Sequence, residues 1–166
     1  SGSGKTTIAI ELEKKLNENG FFTQVLDGDN VRAGINNNLG FSEADRQENI
    51  RRIAEVAKLF VGAGVVTICC FVSPTEQIRN LSKSIIGESD FYEVYVNTPL
   101  EICEERDVKG LYKKARSGEL KDFTGISSPF EAPTSPDLEL STPNYTVEEA
   151  SDQVFKNILN KIKLDV

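Results

Sequence analysis

Ser1-Gly2-Ser3-Gly4-Lys5-Thr6-Thr7 opens the chain, and Ile8, Leu12 and Leu16 follow it at helical spacing. A glycine-rich turn ending in Gly-Lys-Thr and leading into an amphipathic helix matches the second half of G-x-x-x-x-G-K-[ST], a phosphate-binding loop. Glycines let successive backbone N–H groups close around phosphate oxygens, and the positive end of the following helix adds to the attraction. On that reading Gly2, Ser3, Gly4, Lys5, Thr6 and Thr7 cradle a nucleotide's phosphates. Lys5 brings a point charge to the β- and γ-phosphates, and the Thr6 hydroxyl is a ligand for Mg²⁺. The plainer alternative is a glycine-rich turn with a solvent-facing lysine. The first glycine of the pattern is expected two residues before Ser1, and the strand that feeds the loop before that.

Outward from the loop, helix and strand patterns alternate, which predicts an α/β architecture with a mainly parallel sheet. The first helix is expected over residues 5–19, ended by Gly20. A short strand over 22–26 runs into Asp27-Gly28-Asp29. A long helix begins at Ser42, whose spacing to Asp45 resembles a capping box, and Gly62 and Gly64 stop it. Residues 65–72 form a continuous apolar run, as for a central parallel strand covered on both faces. Another strand is predicted over 92–96 and a helix over 99–106. From Lys109 to Pro143 the pattern changes: Lys109, Lys113, Lys114, Arg116 and Lys121 concentrate there, and five of the six prolines lie between Pro99 and Pro143. The basic part reads as a lid helix and the proline part as an irregular loop. Thr146 with Glu149 makes a capping box for a closing helix carrying Val147, Ala150, Val154, Ile158 and Ile162. A single domain over 1–166 is expected, with a lid at about 107–128.

Composition narrows the chemistry. The net charge of −7 argues against nucleic-acid or membrane-surface partners, which need a basic face, so an anionic substrate must meet a local cationic site. No apolar run approaches the roughly 18 residues of a membrane span. Three cysteines, Cys69, Cys70 and Cys103, form no C-x-x-C pair and fit a reducing cytoplasm, with Cys69 and Cys70 read as buried small hydrophobes. Histidine is absent, so any proton acceptor is a carboxylate.

Leu26-Asp27-Gly28-Asp29-Asn30-Val31-Arg32 lies where the second strand ends, and ligands of doubly wound sheets bind at strand C-termini. A carboxylate there can orient a hydroxyl, and an arginine can pair with an anion. A polar turn with a helix cap explains the same residues. Further on come Asn38-Leu39-Gly40-Phe41-Ser42, Asp45-Arg46-Gln47-Glu48-Asn49-Ile50-Arg51-Arg52 and Phe71-Val72-Ser73-Pro74. They are followed by Arg106-Asp107-Val108-Lys109-Gly110-Leu111-Tyr112-Lys113-Lys114-Ala115-Arg116 and Phe123-Thr124-Gly125-Ile126.

This set resembles the adenylylsulfate kinases, including the kinase domain of bifunctional PAPS synthases, over residues 1–140. The resemblance implies a three-layer α/β/α P-loop fold with a basic lid. It implies transfer of the ATP γ-phosphate to the 3′-hydroxyl of adenosine 5′-phosphosulfate in sulfate activation. It assigns adenylylsulfate binding to Asp29, Arg32, Arg46 and Asn49 and to Val72-Ser73, and stacks the substrate adenine between Phe41 and Phe123. Lys109 and the basic lid close over both nucleotides, and Arg106 contacts the ATP adenine. It also raises a phosphoserine at Ser73; a serine before proline reads more simply as a turn residue or substrate contact, and direct in-line transfer is the expectation. Lys5, Asp27 and Asp29 are the catalytic candidates, with Asp27 ahead of Asp29 as the carboxylate that orients the hydroxyl or organises the metal. A homodimer is implied, as is association or fusion with an ATP sulfurylase. Ala33, Asn97, Ser127 and Thr75-Glu76-Gln77 depart from the family pattern and bear on oligomer contacts, lid closure and affinity. Two other readings fit the phosphate loop alone: a different small-molecule P-loop kinase, or a non-catalytic nucleotide-sensing domain.

Overall fold

A computed structural model describes residues 1–163; the predicted domain end at 166 lies outside the described residues. Helix α1 (Lys5–Glu18) turns one stripe inward, burying Ile8, Ala9, Leu12 and Leu16. It leads through β1 (Thr23–Asp27) to the short helix α2 (Gly28–Ala33). Helix α3 (Glu43–Gly62) is longer than any other described helix, and it leads to β2 (Val66–Cys70) and α4 (Glu76–Ile86). Then follow β3 (Val94–Asn97), α5 (Leu100–Arg106), α6 (Leu111–Arg116), β4 (Leu138–Ser141), a 3₁₀ turn (Thr142–Asn144) and α7 (Val147–Ile162).

Both ends of α3 have local causes. The Ser42 hydroxyl accepts from the Asp45 N–H and donates to the Asp45 carboxylate at 2.7 Å. The Asp45 carboxylate is thus engaged by the hydroxyl. The helix runs through Gly62 and stops at Gly64, whose φ of +79° is open to glycine at no steric cost. There Val65 N–H returns to Phe60 O and Gly64 N–H to Val61 O, a Schellman closure. At α7 the full capping box forms between Thr146 and Glu149.

Strands β1 and β2 pair in parallel, Thr23 opposite Val66 through Asp27 opposite Cys70. Strands β3 and β4 pair in parallel, Val94 opposite Leu138 through Asn97 opposite Ser141. Among the described residues the two pairs are not bonded to each other. Among the described residues β2, inside the apolar run 65–72, is bonded to β1. Cys69 is exposed, against the expectation of burial, whereas Cys70 is buried. Strand β4 falls inside the stretch expected to be an irregular loop.

Two apolar clusters hold the layers together. On one side Ile8, Leu12 and Leu16 of α1 meet Leu140 of β4 and Ala150, Val154 and Ile158 of α7. Elsewhere Ile50 and Ile53 of α3 meet Ile78 of α4, with Leu26, Val31 and Phe71 packed against them. Side chains on the faces of parallel strands thus find helices to bury them, the layered α/β solution. Among the described residues no helix is long and apolar enough to cross a membrane.

Candidate active site

The C-terminal ends of β1 and β2 and the start of α1 open onto one cleft of about 880 Å³. Its floor is the phosphate loop. Gly2 has φ +74°, and a Cβ there would lie 2.9 Å from the Cys103 carbonyl, so a side chain fails on both conformation and space. Arg106 Nη1 donates to Gly2 O at 3.1 Å, and Thr98 Oγ1 donates to Ser3 O at 2.9 Å. The loop is thereby held from α5 and from the end of β3. Lys5 is deep in the floor, donates to Ser3 Oγ at 3.1 Å, and burial pushes its ammonium below the ordinary value of 10.5. A cation held at such desolvation cost favours an anion beside it.

Asp27 does two things at once. Its Oδ1 accepts from Asp29 N–H at 2.9 Å, capping α2, and its Oδ2 accepts from the Thr6 hydroxyl at 2.7 Å. The helix cap of Asp27-Gly28-Asp29 is thus formed by a residue that also lines the cleft. The carboxylate faces the start of α1, where a triphosphate's terminal end would lie. Asp29 faces the other way and forms an ion pair with Lys109 from across the cleft. The buried Cys70 thiol lines the same wall, and burial together with the Asp27 carboxylate pushes it up to about 12. It remains a protonated thiol at neutral pH.

The far wall carries Arg32, Phe41, Arg46 and Asn49. The Arg32 and Arg46 guanidinium carbons lie 4.4 Å and 5.7 Å from the Phe41 ring centre. Arg32 donates to Leu39 O and Gly40 O, and Arg46 to Phe41 O at 3.0 Å and Asp122 O at 2.6 Å. Burial, then the neighbouring Arg32 charge, holds the Arg46 guanidinium below its usual value. Asp122 has φ +54°, a costly conformation for a residue with a side chain, and the short Arg46 contact secures it. Phe123 follows directly, edge-on to Tyr112 at 5.0 Å, and the Tyr112 hydroxyl donates to Ser1 O at 2.8 Å.

Every predicted site residue but one lines this cleft. Ser73 does not: Val72 does, while the Ser73 carbonyl accepts from Arg79 Nη1 at 2.9 Å and ties the strand end to α4. Lys113 and Lys114 are also outside it, and Arg116 pairs with Glu104. The structure adds Thr142, Tyr145, Thr146 and Val147, which sequence reasoning left out. Thr142 meets Thr98 hydroxyl to hydroxyl at 2.6 Å, which brings the start of α7 beside the phosphate loop. Their only sequence signal was the capping box of Thr146 and Glu149, which marks a helix start but not its position beside a cleft.

A magnesium site fits here. The Thr6 hydroxyl and Asp27 carboxylate sit side by side at the mouth of a phosphate cradle, and Mg²⁺ commonly takes one or two protein oxygens with phosphate and water completing the octahedron.

The adenylylsulphate kinase family model matches residues 1–141. An adenylyl-sulfate kinase of Bacteroides thetaiotaomicron is 58% identical over 163 residues, covering 98% of this chain and 81% of that protein. The structure of a Mycobacterium tuberculosis APS kinase in complex with AMPPNP and APS superposes with a TM-score of 0.93 at 45% identity, over 96% of this chain and 92% of that one. A hexameric APS kinase from Thiobacillus denitrificans superposes at 0.72 with 28% identity, over all of this chain but 28% of that longer one.

Proposed function

The chain belongs to the adenylylsulphate kinase family, and from that premise we propose how its cleft performs the reaction. The enzyme transfers the γ-phosphate of ATP to the 3′-hydroxyl of adenosine 5′-phosphosulfate, giving 3′-phosphoadenosine 5′-phosphosulfate and ADP. One observation carries the mechanistic reading: a phosphate loop and a cation- and aromatic-lined wall share one cleft, with Asp27 at their junction.

ATP lies with its phosphates on Gly2 to Thr7 and its base toward Arg106 and the Tyr145–Val147 segment. Adenylylsulfate lies on the other wall, its adenine between Phe41 and Phe123 and its phosphosulfate toward Arg32 and Arg46. These arginines now serve backbone carbonyls, and an incoming anion draws them off or shares their remaining donors. Asp27 orients the 3′-hydroxyl and accepts its proton, while Lys5 neutralises charge on the transferred group. Thr6 and Asp27 would hold Mg²⁺, which would supply charge neutralisation on the transferred phosphate. Phosphoryl transfer asks little covalent chemistry of the protein, so positioning and electrostatics dominate. Asp29 keeps Lys109 over the cleft, and residues 107–128 act as the lid of a single domain. Ser73 serves as a support for the strand end, with no phosphoserine step. A cytoplasmic homodimer, supplied with substrate by an ATP sulfurylase, completes the reading.

A panel of acceptors offered with ATP and Mg²⁺ tests it. ADP release is expected with adenylylsulfate and not with nucleoside monophosphates, shikimate or gluconate. Equal turnover across the panel would sink the acceptor assignment.

A further inference from the structure

Asn49 reaches the cleft from α3 while only 5% exposed, and behind it stands Asn36, which is 0% exposed and touches no part of the cleft. The Asn36 Nδ2 group donates to Asn49 Oδ1 at 3.0 Å and to the Asn49 carbonyl at 3.4 Å. The Asn36 Oδ1 in turn takes a long, shared contact of 3.5 Å from Arg52 Nη1, whose two hydrogens also serve Asn38 Oδ1 and Ile35 O. That guanidinium is itself fixed, donating to Asn38 Oδ1 at 2.9 Å, to Ile35 O at 3.2 Å and from Nε to Glu48 at 2.8 Å. A carboxamide with a guanidinium at its oxygen can present only N–H at its other end. The Asn49 oxygen is consequently spent inward, and among the described residues no protein group accepts from its Nδ2.

We propose that Asn36 is a positioning residue that locks Asn49 as a hydrogen-bond donor to the sulfated nucleotide; this rests on the acceptor wall assigned above. The order Glu48, Arg52, Asn36, Asn49 converts a charge on the outer part of α3 into the orientation of one amide in the cleft. A donor is the useful polarity, because phosphosulfate oxygens and adenine ring nitrogens all accept.

Asn36→Asp keeps the size of the side chain and replaces the donor with a carboxylate that repels Asn49 Oδ1. The expected result is a rise of about tenfold or more in the KM for adenylylsulfate, with the KM for ATP little changed. The same change made on Asn49→Ala adds nothing, since there is no amide left to orient. A rise in both KM values alike, or a full additional effect on Asn49→Ala, would overturn the proposal and leave Asn36 a packing residue. If Asn36→Asp does not give a cooperative thermal transition, Asn36→Ser, too short to reach Asn49, is read by the same criteria. Calorimetric binding of adenylylsulfate and of ADP separates the two levels. A wild type that binds ADP but no adenylylsulfate removes the acceptor wall and this inference together. A wild type that binds both, with Asn36 variants that bind adenylylsulfate equally well, removes the inference alone.

Discussion

Asp27 shows how much one side chain decides. Its two oxygens are committed in the same geometry, one to the Asp29 N–H and one to the Thr6 hydroxyl, so the carboxylate has a single orientation before substrate arrives. Asp27→Asn preserves an acceptor for the α2 cap, whereas alanine would forfeit about 1 kcal/mol of capping and confuse folding with chemistry. The asparagine variant is expected to lose about 100-fold or more in turnover, as for removal of a positioned base, while still binding ATP. Coupled ADP-release rates and ATP titrations measure the two halves; unchanged turnover removes Asp27 from the mechanism. The sequence placed Asp27 at a strand end but left cap and acceptor site as alternatives, because a hydrogen bond to Thr6 spans 21 positions and no local pattern encodes it. Ser73 is the converse: the family resemblance assigned it to the substrate, but among the described residues it does not line the cleft and its carbonyl accepts from Arg79.

At the scale of elements, α3 joins stability to the site. Glu48 accepts from Arg51 at 2.7 Å and from Arg52 at 2.8 Å, one turn along the same helix. Hydrogen bonds from Arg51, then from Arg52, hold its carboxyl down from 4.5 to about 2. A carboxyl with a depressed folded pKa stabilises the fold above its unfolded value and loses that contribution as pH falls through the folded one. Thermal midpoints followed from pH 6 toward pH 2.5 are therefore expected to fall more steeply in the wild type than in Glu48→Gln, with the difference developing below about 4.5. Parallel curves would refute the linkage. Amphipathic helices such as α1, α3 and α7 were legible because period and caps coincide in each. Strand β4 was not: Leu138-Glu139-Leu140-Ser141 offers two apolar positions after a proline-rich stretch, and only pairing with β3 makes it a strand.

Across the whole molecule, substrate binding is a matter of bringing distant segments together. Residues 106–124 are held against the cleft at several points: Arg106 on Gly2 O, Tyr112 on Ser1 O, Lys109 on Asp29, and Asp122 O under Arg46. These contacts carry Phe123 to the same cleft as Phe41, from 82 positions further along the chain. The two rings differ in support. Phe41 is 55% exposed with arginines about it, whereas Phe123 abuts the buried Tyr112 edge-on and is set by the lid. An adenine stacked on one aromatic face gains roughly 1–3 kcal/mol, so Phe123→Ala is expected to raise the KM for adenylylsulfate by about 5- to 150-fold. On the proposed placement, with its phosphates on Gly2 to Thr7, ATP would not share that face, and its KM is expected to change by less than about threefold, within 1 kcal/mol. Initial rates measured by varying each nucleotide at saturation of the other give both values. Equal effects on the two would mean that Phe123 sets lid closure as a whole and that the stacking assignment is wrong, because a displaced lid would withdraw Lys109 from both nucleotides together.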